Sequence, residues 1–255
     1  MSDCPKISLI TITRDEEALI GQCLKSAWFC DEKIIIDSFS TDKTVEIARS
    51  LGAVVVPHEF TNYVKQKQIA LDRATGDWVL LMDADEQATH DLGEEILHAV
   101  SSPNAADGYK IRRILYHLGH YYSHAIYPDT PVRLFRRDRG HIGGRDPHDK
   151  VVVEGRVERL RRPILHFSYR DIADHVATIN RFSTRAAMEQ EPTAFTSFKM
   201  LGNSAWRFFN FYFIRGGFRD GGRGLYAAMM AAFYVFLKYA KLYERRLKSR
   251  NAQDG

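Results

Sequence analysis

Apolar and polar residues alternate along the first third of the chain in blocks that predict strands and helices in turn. Four nearly continuous apolar segments predict buried strands, and the segments between them carry apolar residues at helical spacing. The predicted strands are ISLITI, KIIID, AVVVP and DWVLLMD, and the predicted helices are 17–29, 43–51 and 64–74. Apolar strands that alternate with amphipathic helices indicate a parallel sheet covered on both faces. The pattern therefore predicts an α/β fold.

Polar residues follow three of the predicted strands, at the edge where parallel sheets bind their ligands. They lie at 11–16, 37–42 and 83–86. The first of these turns, TRDEEA, contains no glycine, so the G-x-G-x-x-G signature of dinucleotide-binding proteins is missing. This absence argues against a nicotinamide-dependent dehydrogenase.

The stretch WVLLMDADEQ, residues 78–87, places carboxylates directly after a buried strand. Carboxylates this close repel one another, which indicates a cation between them. A calcium loop over 83–94 is one interpretation, but Ala88 occupies the position where such a loop requires glycine, and a strand precedes it. Two interpretations stay open: a phosphatase-type aspartyl nucleophile, and a nucleotide-sugar site whose carboxylates hold a divalent metal.

The second half of the chain changes character. Short strands and loops are predicted from 110 to 170, with twelve arginines between Arg112 and Arg170. That density suits a phosphorylated substrate or, equally, a solvated basic surface. Helices are predicted at 171–190, 196–211 and 225–248, with the glycine-rich turn RGGFRDGGRG between the last two. We therefore expect two parts, a catalytic domain over 1–170 and a helical C-terminal extension over 171–255.

The last predicted helix begins with thirteen uncharged residues, 225–237. A membrane-crossing helix needs about 20, so we expect this segment not to span on its own. Lys238, Lys241, Arg245 and Lys248 then recur at three- and four-residue steps, which places them on one face. Either this basic stripe lies on an anionic membrane surface, or the apolar half of the helix packs on the protein and the basic end is solvated.

The composition sets few further limits. A net charge of +4 permits acidic partners without selecting one, and we expect no nucleic acid among them. Three cysteines without a CxxC pair suit a reducing cytosol. The N-terminal residues lack the basic and apolar regions of a signal peptide, so we expect a cytoplasmic protein.

Six segments, taken in order, carry a family resemblance. They are ISLITITRDEE, IIIDSFSTDKT, KQKQIALDRATGDWVLLMDADE, VRLFRR, PHDKVVVEG and GLYAAMMAAFYVFLKYAKLYE. This set resembles the family 2 glycosyltransferases and, more narrowly, the bacterial lipopolysaccharide-core β-1,4-glucosyltransferases that act on inner-core heptose. The resemblance covers nearly the whole chain. It implies a glycosyltransferase-A fold, with a Rossmann-like and mostly parallel sheet.

The resemblance also implies an activity and its location. The enzyme would be inverting and metal-dependent, and would move a hexose, glucose from UDP-glucose, onto a lipid-linked core oligosaccharide. It would work as a peripheral protein on the cytoplasmic side of the inner membrane. Asp83 and Asp85 would hold Mg²⁺ or Mn²⁺ on the diphosphate, which favours the metal site over the phosphatase nucleophile.

The remaining implied residues bind the donor or take part in catalysis. The implied donor-binding residues are Thr11, Thr13, Arg14, Glu16, Asp37, Lys65, Lys67, Gln68, Asp83, Arg133 and Arg136. Inversion requires a base that takes the proton from the acceptor hydroxyl. The segment PHD resembles the V-H-E of the family, which implies Asp149 as the base and His148 as a third metal ligand. Asp146 and Asp129 are alternative bases.

Three other functions stay open at this point. The first is a related transferase that acts on another glycan or on protein. The second is a nucleotidyltransferase on a similar sheet, although the turn TRDEEA supplies neither the glycine-rich loop nor the lysine that it needs. The third is a non-catalytic membrane adaptor that uses the basic helix.

Overall fold

The computed structural model describes residues 5–122, 124, 129–145, 148–193 and 196–251, without the side chains of residues 145, 148, 250 and 251. The strands are β1 (Ile7–Thr13), β2 (Glu32–Asp37), β3 (Val54–Pro57), β4 (Trp78–Leu81), β5 (Glu86–Ala88), β6 (Gly108–Lys110), β7 (Arg113–His117), β8 (His120–Tyr121), β9 (Val132–Arg136), β10 (Gly140–Arg145), β11 (His148–Val153), β12 (Val157–Arg159) and β13 (Ile164–His166). The helices are α1 (Ile20–Ser26), α2 (Thr44–Ser50), α3 (Tyr63–Arg73), α4 (His90–Ser101), α5 (Ile172–Met188), α6 (Thr196–Phe209) and α7 (Gly221–Asn251). A π-helical turn (Asn210–Ile214) and a 3-10 turn (Gly217–Asp220) lie between α6 and α7.

The chain divides into two compact units. Unit 1 comprises Met1–Ile114 and Asp129–His166, and unit 2 comprises Leu115–Pro128 and Phe167–Gly255. The second unit therefore includes a short segment from the middle of the chain besides the C-terminal helices. The functional division at residue 170 that the sequence suggests stays a prediction.

Unit 1 is built on a sheet that, over the described residues, has seven strands in the order β12-β6-β9-β4-β1-β2-β3. Strand β1 pairs in parallel with β2 and β4, and β2 pairs in parallel with β3. Strand β9 runs antiparallel to both β4 and β6. All four residues of β4 are buried, as expected for a central strand covered on both faces. The predicted α/β class and mostly parallel sheet are confirmed.

The two faces of this sheet carry separate apolar clusters, because successive strand residues point to opposite sides. Leu9 of β1 packs in a cluster with residues of α1 and α4, such as Leu24 and Ile96. Its neighbour Ile10 packs in a second cluster with residues of α3, including Ala70. The antiparallel ribbon of β10 and β11 adds its apolar side chains to the second cluster. Helix α3 is thereby held between the sheet and the ribbon.

The largest differences from the sequence prediction are in α4 and α7; helix α1 is also three residues shorter at each end than predicted, and β5 and the start of β6 were not predicted. Helix α4 was not among the predicted elements; Thr89 caps it by accepting a hydrogen bond from the Leu92 amide at 3.2 Å. Helix α7 begins at Gly221, four residues before the predicted start. The glycine-rich segment is therefore not all turn: it contains Gly216 with φ 74°, one 3-10 turn and the first residues of α7.

Two cations of the predicted basic stripe are bound inside unit 2. The Lys241 ammonium donates to the Asn180 carbonyl at 2.7 Å and to the Ser183 hydroxyl at 2.8 Å, both on α5. The Arg245 guanidinium donates to the carbonyl oxygens of Ala187 and Gln190, at the end of α5. The Arg245 guanidinium satisfies carbonyl groups that the end of α5 leaves unpaired, whereas Lys241 binds the middle of α5. Two of the four cations of the stripe therefore hold α7 against α5.

Helix α7 is long enough to cross a membrane by length and composition alone. An apolar window within 217–249 has a mean hydropathy of 1.2, and 22% of that window is buried. The uncharged segment 225–237 is shorter than this window, so the expectation that it does not span on its own stays a prediction. Ala228, Val235 and Leu242 of the same helix are buried in unit 2.

Candidate active site

Strands β1, β2 and β4 bring their polar ends to one edge of the sheet. Thr13 is paired with Asp37 in the register of β1 and β2, and Ile10 is paired with Leu81 in the register of β1 and β4. The carboxylates that follow β4 therefore lie at the same edge as the turns after β1 and β2. This is the edge at which parallel sheets bind ligands.

The turn after β1 is bound closely to the turn after β2. The carboxylate of Asp15 accepts a hydrogen bond from the Thr41 amide at 2.7 Å, and the Asp15 amide donates to the Ser40 hydroxyl at 2.9 Å. Asp15 has φ 54°, a left-handed conformation that Asp and Asn tolerate better than most residues. The next amide, that of Glu16, donates to Thr44 Oγ1 at 2.7 Å. The two turns therefore form one braced surface.

Asp37 is buried at the end of β2, and its carboxylate closes the following turn by accepting bonds from the amide and hydroxyl of Ser40. The hydroxyl groups of Thr11 and Thr13 are also buried. Within the part of the chain that the structure describes, neither of these hydroxyls has a hydrogen-bond partner. Buried polar atoms are normally paired, so these two mark a place where a ligand or water would complete the structure.

Lys67 of α3 lies buried between two predicted site carboxylates. Its ammonium is 3.0 Å from Asp83 Oδ1 and 2.9 Å from Asp149 Oδ2, and its side chain is 6% exposed. Burial lowers the pKa of Lys67, but the carboxylates of Asp83 and Asp149 outweigh that effect and raise it. The lysine is therefore charged, and it joins the predicted metal ligand to the predicted base.

Arg133 of β9 continues this group on the other side of Asp83. One of its terminal nitrogens lies 3.0 Å from Asp83 Oδ2 and 2.8 Å from Glu86 Oε1. Arg113 adds a second guanidinium, 3.1 Å from Glu86 and paired through two nitrogens with the carboxylate of Asp129. We call this set the ion-pair cluster; its members are Lys67, Asp83, Glu86, Arg113, Asp129, Arg133 and Asp149.

Asp83, which is partly buried, and Glu86, which is fully buried, differ in their electrostatics. Burial raises the pKa of Asp83, but the charges of Lys67 and Arg133 hold it well below its usual range. Burial also raises the pKa of Glu86, and there the neighbouring charge of Asp83 adds to the effect of burial, so the net shift is upward. Asp83 is therefore ionised at neutral pH, and both of its oxygens are paired with cations.

Asp85 lies beside the ion-pair cluster and has a different partner. Its Oδ2 is 3.1 Å from Nε2 of His166, at the end of β13, and both side chains are only partly exposed. A carboxylate and an imidazole in contact are a donor set that suits Mn²⁺ and other first-row cations. Among the described residues, a separate group of three possible ligands, His90, Asp91 and Glu94, lies fully exposed on α4.

Besides Thr11, Thr13, Glu16 and Asp37, four predicted donor-binding residues lie outside the ion-pair cluster. Arg14 is exposed and pairs with Asp15 at 3.7 Å, and Lys65 is exposed on α3. Gln68 is used within the fold, because its amide oxygen accepts a bond from the Ile142 amide at 2.9 Å. Arg136 pairs in register with Trp78, at the start of β4 and so away from the carboxyl edge, and its guanidinium lies 4.8 Å from that indole ring.

Two of the predicted residues fall outside what the structure describes, the side chain of His148 and the whole of Asp146. Three residues in or beside the ion-pair cluster were missed by the sequence reasoning: Glu86, Arg113 and His166. Glu86 is part of the DADE segment, but the sequence does not show that its side chain is buried beside Asp83. Arg113 and His166 carry no signal in the sequence, since each is one of many arginines and histidines.

The comparisons with known proteins agree with this chemistry. Residues 8–185 match the family described as Glycosyl transferase family 2. An uncharacterized glycosyltransferase of Rickettsia typhi is 33% identical, and the alignment covers 96% of this chain and 89% of the relative. The lipopolysaccharide core biosynthesis glycosyltransferase LpsC of Rhizobium meliloti is 31% identical, and the alignment covers 98% of this chain and 97% of LpsC.

Solved structures show the same fold at low sequence identity. The crystal structure of residues 1–349 of TarS from S. aureus has a TM-score of 0.50 and 14% identity, over 92% of this chain and 91% of that one. A second structure of that protein, in complex with UDP, also has a TM-score of 0.50. The sheet and its neighbours identify a fold of the glycosyltransferase-A type, and the chain belongs to the family 2 glycosyltransferases.

Proposed function

We propose that this glycosyltransferase is inverting and metal-dependent, and that it moves glucose from UDP-glucose to the inner-core heptose of a lipid-linked lipopolysaccharide. The observation that carries the proposal is the group of carboxylates at the carboxyl edge of the sheet, with Lys67 and Arg133 between them. LpsC, a relative along nearly its full length, supports the lipopolysaccharide acceptor. The UDP complex of TarS, which shares the fold, is consistent with a uridine donor.

A divalent metal fits Asp85 and His166 better than it fits Asp83. Both oxygens of Asp83 are paired with cations, at 3.0 Å from Lys67 and 3.0 Å from Arg133. Asp85 and His166 offer one carboxylate and one imidazole nitrogen, to which diphosphate oxygens would add the remaining ligands. When bound, Mg²⁺ or Mn²⁺ would neutralise negative charge on the departing diphosphate.

The residues of the ion-pair cluster would divide the remaining work. The carboxylate of Asp149 accepts the proton of the acceptor hydroxyl as that oxygen attacks the anomeric carbon. The bond between this carbon and the diphosphate oxygen breaks on the opposite face, and UDP leaves. Lys67 holds Asp149 in place at 2.9 Å, and the buried guanidinium of Arg133 holds Asp83 at 3.0 Å. The unpaired hydroxyls of Thr11 and Thr13 are suited to contact the nucleoside.

The test is release of UDP from a panel of nucleotide sugars with Mn²⁺ or Mg²⁺. We expect UDP-glucose to be the preferred donor and EDTA to abolish turnover. Asp85→Asn should keep the fold and lose turnover by roughly 10³-fold or more, because charge neutralisation on the leaving group is a transition-state effect. His166→Asn should raise the metal concentration needed for half-maximal rate. Asp91→Asn, a carboxylate in the exposed group on α4, is the matched control and should change neither quantity.

Full activity in EDTA, or in folded Asp85→Asn, would contradict the metal assignment. Turnover with an adenosine or guanosine diphosphate sugar but none with a uridine diphosphate sugar would contradict the donor. UDP release without transfer to a heptose-containing core, accompanied by transfer to another glycan or to protein, would contradict the acceptor.

A further inference from the structure

Helix α6 leaves most of its residues exposed. Of its residues, all of them described, only Thr196 is buried. Large apolar side chains stand exposed instead: Phe198 is 84% exposed, Leu201 is 67% exposed and Trp206 is 58% exposed. An apolar residue exposed singly is ordinary, but a contiguous group of this size marks an interaction surface.

The exposed apolar residues share one face of α6. Phe198, Leu201, Ala205 and Phe209 follow one another at steps of three and four, which places them in a row along the helix. Phe213 and Ile214 of the π-helical turn extend the row, and both are more than half exposed. We call this row, with Trp206 beside it, the aromatic face.

The opposite side of α6 holds the helix to α7. The side-chain amide of Asn203 donates to the hydroxyl of Tyr239 at 2.8 Å. At helical spacing, Asn203 lies well away from the row formed by Phe198, Leu201 and Phe209. The helix is thus anchored within unit 2 by one side, and the described residues of unit 2 leave its aromatic face uncovered.

The charge around the aromatic face has one sign. From 192 to 219 the chain contains no aspartate or glutamate and four cations, Lys199, Arg207, Arg215 and Arg219. Arg207 is four residues after Asn203, so it lies on the anchored side of α6; its guanidinium and that of Arg215 lie 5.5 Å and 4.4 Å from the ring of Phe211. Long basic side chains lie along apolar surface while their charge stays in water, and Trp and Phe with nearby Arg and Lys are typical of helices in the headgroup region.

We propose that the aromatic face docks onto an anionic lipid bilayer, with α6 and the π-helical turn lying parallel to the surface. Lipid fits better than a protein partner because the cations complement phosphate headgroups and the face offers no acidic group for a basic partner. The proposal deepens the proposed function by naming the surface that meets a lipid-linked acceptor, and it rests on that function only for the identity of the acceptor.

The contacts of α7 favour a surface position over a crossing one. Its residues Ala228, Val235 and Leu242 are buried within unit 2, and its Lys241 and Arg245 bind α5. A crossing helix would have to give up these contacts to lipid. The same bonds remove Lys241 and Arg245 as lipid ligands, so the anionic surface that the sequence predicted is assigned to α6 and not to the basic stripe.

The test is sedimentation of the full chain with vesicles of phosphatidylcholine, with and without phosphatidylglycerol and lacking any acceptor. We expect binding to the anionic vesicles only. Trp206→Ser/Phe209→Ser should weaken it by roughly tenfold or more, because two exposed rings leave the bilayer. Val176→Ser/Phe182→Ser on α5 removes two other exposed apolar side chains and should bind like the parent. Donor hydrolysis should stay unchanged in both, which separates this proposal from the proposed function.

A charge-matched pair tests the electrostatic part. Lys199→Gln should weaken binding, whereas Lys238→Gln, which removes the same charge from α7, should not. In Trp28→Phe protein, Trp206 is the remaining exposed tryptophan, since Trp78 is buried. Its fluorescence should be quenched by brominated lipid, a readout that needs no variant of α6.

Four results would overturn the proposal: equal binding by the α6 variants and their controls, no quenching of Trp206, no binding to anionic vesicles, or resistance of the bound protein to alkaline extraction. A contact between two copies of the chain is a further outcome that would overturn the proposal. In that case the parent would self-associate, and Trp206→Ser/Phe209→Ser would be monomeric but would still bind vesicles like the parent.

Discussion

Lys67 shows how burial gives one residue of a helix a role that its neighbours lack. Lys65 and Lys67 are two residues apart on α3, so they point in different directions; Lys65 is exposed and Lys67 is buried against Asp83 and Asp149. Both lysines were predicted to bind the donor, because the sequence does not show which face of α3 is covered by the ribbon of β10 and β11. Only Lys67 lies where it affects the predicted base and the carboxylate after β4.

Removing Lys67 should therefore be costly. In Lys67→Met the ammonium is lost while Asp83 and Asp149 stay in place, and breaking a buried pair in this way typically costs roughly 3 kcal/mol of unfolding free energy. Donor turnover should fall as well, because the base loses the group that positions it. Urea denaturation and UDP release measure the two effects.

The control for this prediction is Lys65→Met, the same change on the exposed side of α3. Its unfolding free energy should lie within about 0.5 kcal/mol of the parent. Equal losses in the two variants would mean that the buried ion pair does not stabilise unit 1.

At the same scale, local patterns predicted Asp37, Asp83 and Asp85, because each follows an apolar strand. Residues brought in from distant segments were not predictable. His166 is 81 residues from Asp85, and Arg113 is 27 residues from Glu86. Only the folded sheet brings such pairs within hydrogen-bonding distance.

The elements of the first third were predicted well because helical and strand periods are strong there and each block ends in polar turn residues. Helix α4 was missed, although Leu92, Ile96 and Val100 repeat at four-residue steps, because residues 83–94 were interpreted only as possible cation ligands. The start of α7 was misplaced because glycine ordinarily disfavours helix, and packing within unit 2 overrides that weak preference.

A buried histidine, His175 of α5, lies in the contact between α5 and α7, and its protonation would disrupt this contact. His175 Nδ1 lies 2.9 Å from the hydroxyl of Tyr226, and the ring of Tyr169 stacks on the imidazole at 3.8 Å. Burial and, to a smaller extent, the charge of neighbouring His117 lower the pKa of His175 to about 4, and Asp174 opposes this only weakly. The neutral imidazole is therefore the form that stabilises this contact.

Unit 2 should lose stability as the pH falls from about 6.5 to about 4. Over that range the unfolded chain takes up a proton at His175 and the folded chain does not, so unfolding becomes easier, by on the order of 3 kcal/mol in total. Above pH 6.5 both states are neutral and the contribution is constant. Urea midpoints measured by circular dichroism from pH 7.5 to 4.5 follow the change.

His175→Gln should show a shallower pH dependence than the parent, although His117 remains and titrates in the same direction. His98→Gln, which changes an exposed histidine of α4, should leave the parent dependence intact. A His175→Gln variant with the full parental dependence would remove this histidine from the account.

For the molecule as a whole, the order of the motifs along the chain was more informative than any single motif. The ordered set of motifs predicted the family and the fold type, and both are confirmed. The membrane surface was predicted on α7 because thirteen uncharged residues precede a basic stripe. Nothing in the sequence showed that α5 binds Lys241 and Arg245 while α6 leaves its aromatic side uncovered, since both depend on how three helices pack.

The proposed function has the ion-pair cluster transfer a hexose with inversion, with Asp149 as the base. The decisive experiment is nuclear magnetic resonance of the product formed from UDP-glucose and a heptose-containing core acceptor. We expect a new β-glucosidic linkage from the α-linked donor, and a loss of transfer of roughly 10²- to 10⁴-fold in Asp149→Asn while UDP-glucose still binds. An α linkage, or full transfer by Asp149→Asn while Asp129→Asn is inactive, would contradict it.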